Sequence, residues 1–421
     1  MTTTVSERSD LKARNAVNRS WTISLFGTAV GAGILFLPIN AGSFGFWPLV
    51  VATLLIGPMT YLSHRAMSRM MCASSRQGAD ITTVVTDFFG RSTGLAISVL
   101  YFFAIFPIVL IYGVSITNTV DSFIVNQLSG PEIPRALLAF LLVGTMTLVF
   151  ALGQRPMLWM TQIIVYPLIA CLAAVSVYLI PQWDFQSFWE TDSSQGWAAV
   201  GGIILILPVL VFSFNHSPAV SQFSLAMQRT WGKASTEQAS RVLVITAAML
   251  TIFTMFFVWS CTLALGADGL QAAREQNVPV MSYLANETGV PLLAFLSPIV
   301  AILAIISSYF GHVLGTTEGA RYILRRASPK LNETLSERSL TVAVYWFIFL
   351  TTWAVAYLNP SILGMIESIG GPFIAAILYL LPIYAIYRVE ALRRFRGRWT
   401  NWFVVVAGVV TISATVWGLL V

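Results

Sequence analysis

Residues 27–40 read GTAVGAGILFLPIN, and residues 208–218 read PVLVFSFNHSP. Both lie inside long apolar stretches, and both hold residues that an α-helix tolerates badly. Gly27, Gly31 and Gly33 each weaken a helix by about 1 kcal/mol relative to alanine. Pro38 lacks the amide that would bond the carbonyl of Ile34. In the second stretch Pro218 frees the carbonyl of Phe214, and Ser213, Asn215, His216 and Ser217 crowd polar groups into the same turn. An unsatisfied polar group in hydrocarbon costs several kcal/mol, so this cluster must face protein, water or a ligand. Taken alone, Gly27 and Gly31 also fit a GxxxG packing face, and the second stretch also fits a hydrogen-bonded kink.

The surroundings decide between these readings. The 421-residue chain is 57% hydrophobic and only 10% charged, against about 25% charged residues in soluble proteins. Apolar segments fall near 20–38, 46–62, 94–120, 136–152, 157–180, 198–225, 242–265, 291–317, 340–358, 361–387 and 401–421. Each is near the length of about 20 residues that a helix needs to cross a bilayer. They are continuously apolar rather than alternating, which excludes barrel strands. The expected fold class is an all-α integral membrane protein with about eleven transmembrane helices. The hydrophobic stretch after the polar start has no small-residue cleavage pattern and reads as a retained span.

The basic residues test that count. With the N-terminus in the cytoplasm, all 24 lysines and arginines except Arg135 and Arg274 fall on the cytoplasmic side. This asymmetry is the positive-inside pattern. It also explains the net charge of +6 through topology and anionic lipid rather than nucleic acid. The expected layout is a cytoplasmic tail at 1–19, a first five-helix half at 20–180 and an outer loop at 181–197. A second half at 198–387, a cytoplasmic loop at 388–400 and an eleventh helix at 401–421 follow. Cys72, Cys171 and Cys261 are scattered, as are His64, His216 and His312, which gives neither a disulfide framework nor a metal cluster. His64 reads as a loop residue.

One break falls in the first span and the other in the sixth, five helices later. Broken segments at corresponding places in two halves point to an inverted-repeat carrier with a site near the bilayer midplane. An odd number of helices per half reverses the second half in the membrane. The unwound first span offers amides to a carboxylate and carbonyls to an ammonium or a cation, and an α-amino acid carries both groups.

The stretches at 27–40, 115–121 (SITNTVD), 211–218 (VFSFNHSP) and 359–372 (NPSILGMIESIGGP) resemble the hydroxy/aromatic amino acid permease family, and within it the serine and threonine/serine permease branch. The likeness runs over essentially the whole chain. It implies a leucine-transporter-type 5+5 inverted repeat with broken first and sixth helices. It also implies proton-coupled uptake of serine or a similar small amino acid across a bacterial inner membrane, with the C-terminus periplasmic. Thr28, Gly31, Ala32 and Gly33 are then expected to hold the carboxylate through backbone groups. Ser213, Asn215, His216 and Ser217 would complete the pocket, with Tyr101 or Tyr112 on the wall from span three. The expected partners are the amino acid and membrane lipid, with no nucleic acid, obligate protein partner or cofactor.

Three features compete to carry the coupling ion. His216 lies in the break. Glu367 is the one carboxylate near the middle of an expected span. Ser307 and Ser308, with first-span carbonyls, make an oxygen cage suited to Na+ instead of H+. His312 and Glu318 fall toward the cytoplasmic end of span eight, where snorkelling or capping suffices. Residues 267–290 have amphipathic spacing and are a candidate outer lid. A membrane enzyme is disfavoured because the loops lack HExxH, GxSxG or paired catalytic acids. A channel is disfavoured because two breaks in opposed halves fit alternating access better than a pore filter.

Overall fold

The computed structural model describes residues 5–76, 79–151, 154–189, 196–287, 290–327 and 336–420. Residues 328–335, Lys330 among them, lie outside the described residues, as do residues 190–195 of the outer loop. The described residues form helices α1 (Val5–Ala29), α2 (Ala32–Gly42), α3 (Phe46–Cys72), α4 (Ile81–Phe89), α5 (Arg91–Ser122), α6 (Arg135–Ala151) and α7 (Gln154–Tyr178). These are followed by α8 (Gly196–Leu205), α9 (Leu207–Ser213), α10 (Ser217–Trp231), α11 (Ser235–Glu275) and α12 (Val280–Glu287). The chain ends with α13 (Pro291–Ala327), α14 (Glu337–Leu358), α15 (Ile362–Arg388) and α16 (Trp399–Gly418). Two π-helical turns, Ile366–Gly370 and Ala376–Leu380, interrupt α15.

Among the described residues, nine helices are long and apolar enough to cross a membrane, and the pair α1–α2 makes a tenth span bent by 55°. The shorter apolar helix at Arg135–Val149 lies where the fourth span is expected. Large apolar side chains such as Leu54, Trp346, Trp402 and Val406 stay exposed around the bundle. That surface suits lipid, because soluble proteins rarely expose contiguous apolar patches.

Several boundaries differ from expectation. The polar tail is helical from Val5, and Asn18 ties it to α10 and α11 through Trp231 and Gln238. Span two does not stop at 62 but runs to Cys72. Arg65 and Arg69 therefore lie within the helix, where their guanidiniums stack on Tyr61 (4.7 Å) and Phe395 (4.4 Å). Cation–π contact and apolar stems let a helix carry arginine at its inner end. His64 is consequently not a loop residue; it is buried within α3. Span eight likewise continues to Ala327. Glu318 accepts a hydrogen bond from Gln222 of α10 (3.2 Å) instead of capping an end.

The prolines start helices more than they break them. Pro208 and Pro218 sit in the first turns of α9 and α10, where the missing amide has no intrahelical acceptor to lose. Pro38 is accommodated inside α2. The glycines divide their labour too. A Cβ on Gly27 would collide with the Val165 side chain of α7 at 2.1 Å, so Gly27 packs. The first break lies just beyond it, with Gly31 extended at the N-cap of α2.

Candidate functional site

The two breaks face each other. A Cβ on Gly33 would lie 2.6 Å from the Phe212 ring and 2.8 Å from the Ser213 Cα. A Cβ on Gly31 would lie 2.5 Å from Ser308 Cβ and 2.9 Å from the Tyr112 hydroxyl. Spans one, three, six and eight thus converge on residues 30–33 and 213–217. Thr28, Gly31, Ala32, Gly33, Ser213, Asn215, His216, Ser217, Ser307 and Ser308 are all buried.

The helix ends at the breaks are finished differently. Gly31 supplies no side-chain cap to α2, and the amides of a helix's first turn have no intrahelical acceptor. At α10 the chain caps itself. Asn215 Oδ1 accepts the Ser217 amide (3.0 Å), and the His216 amide donates to His64 Nε2 of α3 (3.2 Å). The carbonyl of Phe214, freed by Pro218, accepts from His216 Nδ1 (3.2 Å). Asn215 Nδ2 and His216 Nε2 remain buried without a hydrogen-bond partner. They are two of twenty buried side-chain polar atoms left unpaired among the described residues, and the two that lie in the sixth-span break.

Not every expected side chain points into this space. The hydroxyls of Thr28 and Ser213 bond back to Ser24 and Val209 of their own helices (2.9 and 2.7 Å). What Thr28 contributes is its carbonyl, which accepts from Ser308 Oγ at 2.8 Å. Ser307 Oγ reaches the Gly27 carbonyl at 3.5 Å and the Ala304 carbonyl at 3.0 Å. Of the two tyrosines, Tyr112 reaches the break and bonds Ser308 Oγ (2.6 Å). Tyr101 lies farther along α5 beside Gly315 and Pro218, its hydroxyl unpartnered.

Glu367 is not brought to the breaks, nor is it in mid-span. It sits about one turn into α15, partly exposed. There it accepts from Asn40 Nδ2 of α2 (2.9 Å) and pairs with Arg274 (3.4 Å). The span itself begins at Ile362, within one residue of the expected 361, so it was the depth of position 367 within it that was overestimated. Arg274 belongs to residues 267–290. These fold back after a kink at Gly266 (φ 63) as the end of α11 and then α12. Leu270 packs against Gly42 of α2. Asn277 bonds the Pro360 carbonyl and the Ile362 amide, tying the segment to the start of α15.

Two residues at the site were not singled out from sequence. His64 stacks on His216 with ring centroids 3.5 Å apart and planes 10° apart. Phe212 lies between Gly33 and Gly370. Neither carries a local signal, because each is defined only by the packing of distant spans.

A helical membrane protein with its first and sixth spans broken against each other has the architecture of a leucine-transporter-type carrier. The solved structure of MhsT in complex with L-phenylalanine shares this fold. It matches with a TM-score of 0.60 at 13% identity, covering 95% of this chain and 97% of that one. The sequence profile of the transmembrane amino acid transporter protein family matches residues 14–421, and the chain belongs to that family. Serine transporter SdaC of Escherichia coli K12 is 42% identical over 99% of this chain and 98% of its own length. Threonine/serine transporter TdcC of Yersinia enterocolitica is 38% identical over 100% and 99%. The chain is therefore a multi-pass membrane transporter of amino acids, not an enzyme.

Proposed function

We propose that this protein imports L-serine, or a similarly small hydroxy amino acid, by proton symport with alternating access across a bacterial inner membrane. In this reading the N-terminus is cytoplasmic and the C-terminus periplasmic. Access alternates between the two membrane faces around the breaks. The substrate carboxylate sits on the first-turn amides of α2, at Gly31, Ala32 and Gly33. Carbonyls of the unwound first break face the ammonium, and Asn215 Nδ2 donates to the side-chain hydroxyl, with His216 and the turn at Ser213 and Ser217 closing the pocket. The observation that carries this reading is the pairing of an uncapped helix start in span one with an unpartnered amide donor in span six.

Among the ion candidates the proton is favoured. Ser308 donates directly to the Thr28 carbonyl, so two oxygens of the possible sodium cage already satisfy each other. Glu367 is spent on Asn40 and Arg274 away from the breaks. His216 has an open nitrogen in the break. One charge moving down about 100 mV releases about 2.3 kcal/mol, enough for about 50-fold accumulation of a neutral solute.

The experiment is labelled serine uptake into proteoliposomes, with proton and sodium gradients imposed separately and unlabelled amino acids as competitors. Accumulation under the proton gradient, blocked by serine and weakly by aromatic amino acids, is expected. Accumulation only under a sodium gradient moves the coupling to Ser307 and Ser308. Indifference to serine under either gradient overturns the substrate assignment.

A further inference from the structure

His64 holds the second half of span six in place. Its Nδ1 faces the Thr60 carbonyl at 2.8 Å, and a carbonyl only accepts, so Nδ1 carries the hydrogen. Its Nε2 is therefore the lone-pair nitrogen, and it accepts the His216 amide at 3.2 Å. An imidazole from α3 thus bonds the amide of the α10 N-cap residue, a role that the N3 glutamate or glutamine of a capping box fills elsewhere. His216 has the same tautomer. Its Nδ1 donates to the Phe214 carbonyl, and its Nε2 is open, buried and without a partner. The rings stack nearly parallel at 3.5 Å, and the two residues are 1% exposed.

We propose that His64 and His216 form a single-proton site that latches the sixth-span break, so that proton binding and the conformation of the substrate pocket are one equilibrium. The idea rests on the symport reading above and adds the place and number of the proton. The pair offers two lone pairs, one on each Nε2. A proton on His216 Nε2 puts a cation inside the dry break, where the carboxylate of an arriving amino acid compensates it. A proton on His64 Nε2 removes the acceptor of the His216 amide and releases the start of α10. Both sites cannot fill together, because two imidazolium rings at this separation repel strongly in a buried setting. The proton comes from bulk water and returns to it; no other bond is made or broken.

Ser63 Oγ lies 3.4 Å from His64 Nδ1 and donates to the Met59 carbonyl (2.7 Å), which leaves the Nδ1 hydrogen with the Thr60 carbonyl. The charges on the same helix, Arg65 and Arg69, are turned to Tyr61 and Phe395. From α13, Glu318 is bonded to Gln222. From the second π turn of α15, the Tyr379 hydroxyl meets Ser63.

The chain has only three histidines, so nitrogen-15 imidazole spectra of the wild-type protein in lipid resolve the question directly. His312 gives the third signal, its ring set edge-on to Tyr112 rather than stacked on a second imidazole. Across an acid titration with saturating serine, one proton shared between the His64 and His216 signals is expected, with neither site filling alone. Independent titration of the two rings, or a His64 signal that never moves, overturns the proposal. In proteoliposomes, His64→Gln keeps an acceptor for the amide but no basic nitrogen. Proton-driven serine accumulation is expected to fall from tens-fold to simple equilibration, while serine–serine exchange, which needs no gradient, persists. Wild-type accumulation in that variant overturns the latch and leaves the symport reading intact. Loss of gradient-driven accumulation in the wild-type protein fails the symport reading instead.

Discussion

Gly33 brings the first helix break into backbone contact with Ser213 of the second, since a Cβ on the glycine would lie 2.8 Å from the serine Cα. That obstacle is main chain, and the adjacent Phe212 ring at 2.6 Å is buried. Neither can step aside without separating spans one and six. Gly33→Ala is therefore expected to lower serine uptake at least ten-fold at normal membrane expression. Gly31→Ala meets side-chain atoms of Ser308 and Tyr112 instead, and its extended backbone (φ −149) suits any residue. It is expected to retain more transport than Gly33→Ala. Uptake assays on the two variants, normalised to expression, check the order.

Asn215 divides its amide between two tasks. Oδ1 caps the Ser217 amide, and Nδ2 is left to the ligand. Asn215→Asp keeps the cap and loses the donor, whereas Asn215→Ala loses both. Removing such a cap costs about 1 kcal/mol. Both variants are expected to lose serine uptake and to melt at lower temperature, the aspartate through its buried charge and the alanine through the lost acceptor. Paired transport and thermal-melting measurements test this. Full uptake by Asn215→Asp takes the side chain out of substrate recognition.

Much of this fold was legible from residues alone, for identifiable reasons. Hydropathy and arginine placement report the bilayer directly, so the spans came out near their observed positions. The breaks were legible because glycine and proline act locally. The exceptions come from tertiary contact. Span two outruns its apolar stretch because Tyr61 and Phe395 receive Arg65 and Arg69. That extension carries His64 from an apparent loop onto His216. Glu367 was expected near mid-span although it lies only six residues after the expected start at 361, and the Arg274 that meets it there comes from a segment distant in sequence. For the candidate site, the sequence named the chemistry of both breaks but not which atoms of each residue were already in use.

Arg274 and Glu367 join the segment after the Gly266 kink to the first turns of α15, with Asn40 of α2 on the same carboxylate. The pair is partly exposed, and exposed ion pairs contribute about 0–1 kcal/mol. Glu367→Gln is therefore expected to fold normally and to keep proton-driven accumulation. Its expected effect is on closure over α2, a few-fold change in the apparent KM for serine with a smaller change in the maximal rate. Kinetic uptake at several salt concentrations reads this. An accumulation ratio that collapses to one returns Glu367 to the list of proton carriers.

Ser308 holds three spans at the first break by accepting from Tyr112 of span three while donating to the Thr28 carbonyl of span one. All three groups are buried. Ser308→Ala strands the Tyr112 hydroxyl and the Thr28 carbonyl, and an unsatisfied buried polar group costs about 1–3 kcal/mol. Tyr112→Phe strands much less, because Ser308 keeps its carbonyl. The double variant removes the stranded phenol, so it is expected to melt above Ser308→Ala. Strict additivity of the two single losses would mean that the bond carries no coupling. The same three proteins separate stability from function. If the chain closes around its substrate here, serine uptake stays impaired in the double variant even as its melting temperature recovers.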